Sequence, residues 1–334
     1  MRDRTTDRPA PVALVTGFLG SGKTTLLNAL LRHPALKDTA VIVNEFGEIG
    51  LDHLLIETAF EDAVLLKSGC ICCTVRGDLT DTILTLDERR RRGEIPGFAR
   101  IAIETTGLAD PAPIIGLLTE EPRLRPLARL AEVIVTVDAV NAASQLDAQY
   151  EPAKQAALAD TLVLTKTDLA ARGAAEALEA RLKSLNPSAQ LLRAVRGAVE
   201  PGLLFHELRP AAWSARLADI GDGHDHDSSP EHLARHHGIA SFTLTHDRPL
   251  AWERFGPWLA ALAAFRGNDL LRLKGLVNVA GHDRPVLLNG VQHLLHPPVE
   301  LARWPDADRR SRLVFIGRNL DRDAVARSFA AAVA

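Results

Sequence analysis

Residues 17–24 read Gly17-Phe18-Leu19-Gly20-Ser21-Gly22-Lys23-Thr24. The stretch fits G-x-x-x-x-G-K-[ST], and its flanks raise that fit above chance. VALVT (12–16) before it is a short apolar run with the character of a buried strand. TTLLNALL (24–31) after it repeats apolar residues at helical spacing. A strand that turns through glycines into a helix builds a cradle for phosphate. Glycine lets the backbone wrap close to anionic oxygens, and successive amides at the helix N-terminus converge on them. Gly17, Gly20, Ser21, Gly22 and Thr25 are expected to line the cradle. Lys23 brings a point charge to the β- and γ-phosphates, and the Thr24 hydroxyl is a candidate Mg²⁺ ligand.

Outward from the loop, apolar runs recur: AVIVNEF (40–46), AVLLKSG (63–69), RIAIETTG (100–107), EVIVTVDAV (132–140) and TLVLTKTD (161–168). Helix-like segments separate them, among them TVRGDLTDTILTLDERRRR (74–92). Continuous Val/Ile/Leu strands alternating with helices predict an α/β fold, a parallel sheet covered on both faces. The pattern breaks near residue 210. Residues 221–237 are dominated by Gly, Asp, Ser, Pro and His and read as a linker. Beyond it, SFTLTHD (241–247), LLRLKGLVNVAG (270–281), PVLLNGVQHLLH (285–296) and RLVFIGR (312–318) read as strands around helix-like segments at 249–265 and 321–333. The predicted organisation is a tail (1–11), a phosphate-loop domain (12–210), a His/Asp-rich linker (211–238) and a smaller α+β domain (239–334).

A chain of 334 residues suits two domains. With 46% hydrophobic and 24% charged residues, it has the composition of a folded chain. No stretch approaches the ~20 apolar residues of a membrane span. The polar start MRDRTTDRPA lacks a secretory leader, so a cytoplasmic protein with no membrane partner is expected. Lys and Arg total 39 against 42 Asp and Glu, and aromatics are only 4%. Neither a basic excess nor a stacking platform is present, which argues against nucleic acid as a partner.

Two later strand ends extend the phosphate-loop reading. Thr165-Lys166-Thr167-Asp168 matches an [NT]-K-x-D segment that reads guanine. Asp168 would accept from the base N1–H and 2-amino group, a pairing adenine cannot offer. Lys166 would lay its stem along the ring, and Thr165 stands where Asn is commoner. Glu104-Thr105-Thr106-Gly107 stands where an acid serves Mg²⁺ and a glycine amide meets the γ-phosphate.

The three cysteines, Cys70, Cys72 and Cys73, fall together in Gly69-Cys70-Ile71-Cys72-Cys73. An odd, clustered set argues against a disulfide framework. Thiolates suit zinc and other soft or borderline ions. Three sulfurs leave a tetrahedral zinc one ligand short, and Glu45 or Glu48 are candidate oxygen ligands. A set of small buried side chains and a redox dithiol are the competing readings. Five of the 12 histidines (His224, His226, His232, His236, His237) lie in the linker, where loose metal binding and a solvated spacer are equally open. Arg89–Arg92 reads as a solvated basic helix end. His293 and His296 read as structural by default, in a placement that would also suit a partner-facing edge.

These pieces carry a family likeness. GFLGSGKTTLL (17–27), NEFGEIGLD (44–52), GCICC (69–73), ETTGLADPAPI (104–114) and TKTD (165–168) resemble the CobW-type GTPases, a P-loop family linked to metal trafficking and cobalamin synthesis. LRLKG (271–275), GVQHL (290–294) and LVFIG (313–317) resemble that family's C-terminal domain. The resemblance implies slow GTP hydrolysis to GDP, Mg²⁺ dependence, zinc or cobalt binding at the cysteine motif, and delivery of metal to a client metalloprotein. It assigns nucleotide work to Lys23, Thr24, Glu104, Lys166 and Asp168, with Lys23 and Glu104 serving hydrolysis. Metal work falls to Cys70, Cys72, Cys73 and Glu48. Val43 replaces an acid found in some relatives. An ATP-using small-molecule kinase or biosynthetic enzyme, and a non-enzymatic metal store, are the alternatives. A homodimer is left open.

Overall fold

The computed structural model describes residues 8–36, 38–44, 65–68, 76–200, 220 and 237–334. Glu45, Glu48, Cys70, Cys72, Cys73, His224, His226, His232 and His236 lie outside the described residues. The chain divides into two compact units. One comprises Met1–Ala143, Ala159–Leu178 and Gln190–Glu207, the other Ser144–Leu158, Glu179–Ala189 and Leu208–Ala334.

The elements up to residue 193 are, in order, β1 (Ala10–Gly17), α1 (Lys23–Leu31), β2 (Thr39–Asn44), β3 (Leu65–Ser68), α2 (Arg76–Arg91), β4 (Arg100–Glu104), α3 (Ala112–Glu120), β5 (Ala128–Asp138), α4 (Ala142–Ala148), α5 (Tyr150–Leu158), β6 (Thr161–Thr165), α6 (Ala174–Leu185) and β7 (Gln190–Arg193). The seven strands form one parallel sheet in the order β3-β2-β4-β1-β5-β6-β7. This is the P-loop NTPase fold. Val12, Ala13, Leu14 and Val15 alternate between the two faces of β1, and all four are buried, as a central parallel strand requires. On one face Leu26 and Leu30 of α1 pack with Ala13, Val15, Ile134 and Val163. Successive strands are laid down to one side of β1 (β4, β2, β3) and then to the other (β5, β6, β7). The C-terminal end of β1 is therefore the switch point, where side chains from both halves converge.

The four-arginine run at the end of α2 is paired locally. Arg90 and Arg91 contact Asp87 at 2.6 and 2.7 Å, Arg92 pairs with Glu88, and Arg89 lies 3.6 Å from Glu94. Asp87 and Glu88 on the helix and Glu94 just beyond it pair this cluster locally, as suits a basic helix end.

The elements from residue 239 onward are β8 (Ile239–His246), α7 (Trp252–Arg266), β9 (Leu270–Val277), β10 (Val286–Val291), β11 (Leu294–Leu295), β12 (Val299–Glu300), β13 (Ser311–Arg318) and α8 (Arg322–Val333). The sheet runs β11-β10-β9-β13-β8, with β12 on β10, all antiparallel. One face packs Phe242, Leu273 and Phe315 against Phe255 and Leu259 of α7 and Phe329 of α8. The Asp321 carboxylate caps α8 by accepting from the Ala324 amide at 3.0 Å. On the other side chains' face, Arg272, Lys274 and Arg312 are all buried. Arg312 donates to Asp308 at 2.5 Å. Hydrogen bonds from Arg310, with the charge of Arg312, hold the Asp308 carboxyl down to about 2.

One expectation is corrected. PVLLNGVQHLLH (285–296) is not one strand but a tight hairpin: Val291 pairs with Leu294 across Gln292-His293, with Gln292 at φ 54°. The Asn-Gly pair of this segment, Asn289-Gly290, lies within β10 and not in the turn, so the Gln292-His293 turn carries no glycine signal and periodicity reads straight through it. His296 donates its backbone N–H to Asn289 at 2.9 Å across that hairpin. Among the described residues no helix is long and apolar enough to cross a membrane.

Candidate nucleotide site

The phosphate loop leaves β1 at Gly17, and three of its glycines have positive φ: Gly17 (140°), Gly20 (68°) and Gly22 (91°). A side chain at Gly17 would lie 2.4 Å from the Thr136 carbonyl and hydroxyl oxygens, so the turn needs glycine for space as well as conformation. Gly22 caps α1 at its N-terminal end, which aims the helix dipole into the loop. Hydroxyls rivet the loop to neighbouring strands. Ser21 Oγ and Thr136 Oγ1 are 2.6 Å apart, and Thr105 Oγ1 donates to Thr16 Oγ1 at 2.7 Å.

Lys23 is buried, and its Nζ donates to the carbonyls of Gly17 (3.0 Å) and Phe18 (3.2 Å). Its charge is thus held inside the loop that it serves. Thr24 Oγ1 donates to Glu104 Oε1 at 2.6 Å, joining the first turn of α1 to the end of β4. Three residues on, Gly107 approaches the loop so closely that a Cβ would fall 2.7 Å from Leu19 Cα and N. Val43 lies opposite Glu104 in the β2–β4 register and packs with Leu27, Leu31, Val41 and Ala102.

The TKTD segment follows β6 on the other side. Thr165 Oγ1 donates to the Ser21 carbonyl at 2.6 Å. Lys166, a non-glycine residue at φ 56°, donates through Nζ to the Gly20 carbonyl and to Asp138 Oδ2, both at 2.8 Å. Asp138, at the end of β5 and opposite Thr165 in register, is buried and also accepts from Asn141 Nδ2 (2.8 Å) and the Val140 amide (2.9 Å). Burial pushes its carboxyl up, but the hydrogen bonds from Lys166, Asn141 and Val140 prevail and hold it below the ordinary carboxylate range.

Beside this segment a cavity of about 310 Å³ is lined by Gly22, Thr25, Thr165, Lys166, Asp168, Leu169, Arg196 and Gly197. Its size and mixed lining suit a flat heterocycle with a few polar edges. Arg196 (φ 51°) and Gly197 (φ 78°) form a two-residue turn bridged by Val195 and Ala198. A Cβ on Gly197 would meet the Thr25 carbonyl at 2.6 Å.

All twelve nucleotide-site residues expected from sequence therefore gather at the C-terminal ends of β1, β4 and β6: Gly17, Gly20, Ser21, Gly22, Lys23, Thr24, Thr25, Glu104, Gly107, Thr165, Lys166 and Asp168. The expected metal residues, Cys70, Cys72, Cys73 and Glu48, lie outside the described residues. His237, the one described histidine of its group, sits 3.1 Å from the Leu146 carbonyl through Nε2. Sequence reasoning missed Asp138, Arg196 and Gly197. For Asp138 the sequence shows only an acid closing an apolar strand; its place opposite Thr165 comes from the β5–β6 register. Arg196-Gly197 follows a four-residue edge strand, only partly buried, that carries no strong periodic pattern.

Comparison with known proteins agrees with this geometry. The family model described as CobW/HypB/UreG, nucleotide-binding domain, matches residues 11–193, more than half of the chain. The chain belongs to the CobW/HypB/UreG family. A second model, the cobalamin synthesis protein CobW C-terminal domain, matches residues 239–333. Among curated relatives, the zinc chaperone YjiA of Escherichia coli K12 is 34% identical over 96% of this chain and 98% of its own. The zinc chaperone CobW of a Sinorhizobium species is 29% identical over 97% of each chain. The crystal structure of zinc-bound YjiA GTPase from E. coli superposes with a TM-score of 0.72 at 29% identity, covering 97% of this chain and 99% of that one. This CobW-family chain thus shares both its domains with relatives of nearly the same extent.

Proposed function

We propose that this chain is a GTP-hydrolysing metallochaperone. It binds zinc, with cobalt as the alternative cargo, at Cys70, Cys72 and Cys73 with Glu48, and passes the ion to a client metalloprotein in the cytoplasm under nucleotide control. The observation that carries the reading is the convergence of the phosphate loop and the Thr165–Asp168 segment on one cavity, in a chain 34% identical to a zinc chaperone. A guanine nucleotide is supported by Asp168, an exposed residue of the cavity lining whose two acceptor oxygens suit adjacent N–H groups.

The chain's own groups divide the chemistry. The loop amides and Lys23 bind and neutralise the β- and γ-phosphates, which requires Lys23 to exchange its two carbonyl partners for phosphate oxygens. Thr24 and Glu104 bring hard oxygen donors to within 2.6 Å of each other, a donor set that fits Mg²⁺. Mg²⁺, when bound, supplies charge neutralisation on the β- and γ-oxygens. Gly107 lets the ETTG turn lie against the loop, where its amide can report the γ-phosphate. With no arginine finger apparent in the sequence, turnover is slow and open to stimulation by a client.

Competitive zinc titration of the full chain with GTP analogue, GDP or no nucleotide tests the coupling. Zinc affinity is expected to differ between the GTP-analogue and GDP forms; equal affinity in all three conditions ends the claim.

A further inference from the structure

Lys166 touches the phosphate loop and the end of β5 at once. One of its partners is the Gly20 carbonyl of the phosphate loop and the other is Asp138, a buried acid with no place in the sequence motif. One residue earlier, Thr165 holds the next carbonyl, that of Ser21. Two successive carbonyls of the phosphate loop are therefore fixed by the base-reading segment. A trans peptide is planar, with its N–H opposite its C=O, and no cis peptide occurs among the described residues. Pinning a carbonyl on one side thus sets the direction of the following amide on the other. The plane that Lys166 pins carries the Ser21 amide, which donates to the Phe18 carbonyl at 3.1 Å and closes the turn of the loop; the plane that Thr165 pins carries the Gly22 amide, at the head of α1, where an anion would be received. Lys166 is long, flexible and over one third exposed, so something must hold it in this pose. Asp138 does so with a charge-assisted bond, and it is itself held by Asn141 and the Val140 amide.

We propose that Asp138 is a positioning residue for nucleotide binding: through Lys166 it sets the Gly20–Ser21 peptide plane, and with it the turn of the phosphate loop, so that base and phosphate recognition share one support. The inference rests on the guanine-nucleotide reading above and adds a residue to it. Asp138 is not among the residues that line the cavity, so its effect is expected on overall nucleotide affinity and not on base choice.

Fluorescent GDP and GTP-analogue titrations of the full chain test it, with inosine triphosphate as competitor. Asp138→Asn keeps the shape and removes the charge. It is expected to weaken both nucleotides about tenfold, the loss of one charged hydrogen bond. The preference for guanine over inosine should stay unchanged. Lys166→Met should cost a similar factor, and the double variant no more than either single one, because both remove the same link. Wild-type affinity in Asp138→Asn, or additive losses in the double variant, overturns the proposal. If Asp138→Asn does not fold, Asn141→Ala removes a supporting bond at an exposed position and should weaken both nucleotides by a smaller factor; no change there also overturns it. A wild-type chain that binds adenine and guanine nucleotides equally would instead sink the guanine reading while leaving the Asp138 effect measurable on either.

Discussion

At Thr165 a hydroxyl stands where related guanine-reading segments more often carry an amide, and its job is visible: it donates to the Ser21 carbonyl at 2.6 Å. A methyl in its place leaves that buried carbonyl without its partner. Asp168, two residues past Lys166, is an exposed residue of the cavity lining, and the proposed function gives it the base. Asp168→Asn should therefore cost GTP about tenfold or more in affinity, since one of two acceptor oxygens becomes a donor. Competition between GTP and inosine triphosphate checks it, because only the wild-type carboxylate gains from the 2-amino group. A preserved guanine preference in the variant would falsify the assignment. Motif spacing was enough to single out Asp168 and Lys166 as candidates. It did not identify Asp138, because nothing in the local sequence says that β5 and β6 are neighbours.

Among elements, the junctions matter more than the strands. Gly107 after β4 and Gly197 after β7 are both places where one loop lies directly on another piece of backbone, Leu19 in the first case and Thr25 in the second. Gly197 also has φ 78°, so Gly197→Ala meets steric contact and left-handed strain together. It should destabilise the chain by more than ~1 kcal/mol and weaken nucleotide binding, read by thermal unfolding and the same titration. Leu26→Ala on α1 removes a fully buried side chain from the cluster around Val15, Ile134 and Val163. Its expected cost is ~2–5 kcal/mol, measured by denaturant unfolding. Strands β1, β2, β4, β5 and β6 were legible as apolar runs because burial on both faces leaves no polar alternation to confuse them. The Gln292-His293 turn was not legible, since tertiary pairing enforces positive φ on a residue with no such preference.

For the molecule as a whole, the test of function is whether its two ligand classes separate genetically. Cys72→Ala should weaken zinc binding and spare GTP, while Lys23→Ala should abolish GTP binding and leave zinc affinity in nucleotide-free buffer unchanged; calorimetry reads both. A metal store would show no response of zinc binding to GTP in the parent chain. Legible in the sequence alone were the fold class, the phosphate-loop motif, the Thr165–Asp168 segment and the cysteine motif. Each of these is local, set by residue types at short spacing or by a period of apolar residues. Tertiary structure decided what is not local: the strand order that puts β1 at the switch point, the register that sets Asp138 beside Lys166, and the grouping of Ser144–Leu158 and Glu179–Ala189 with the C-terminal sheet. Those features depend on which surfaces meet after the chain has crossed over itself, and composition, period and spacing carry no record of that.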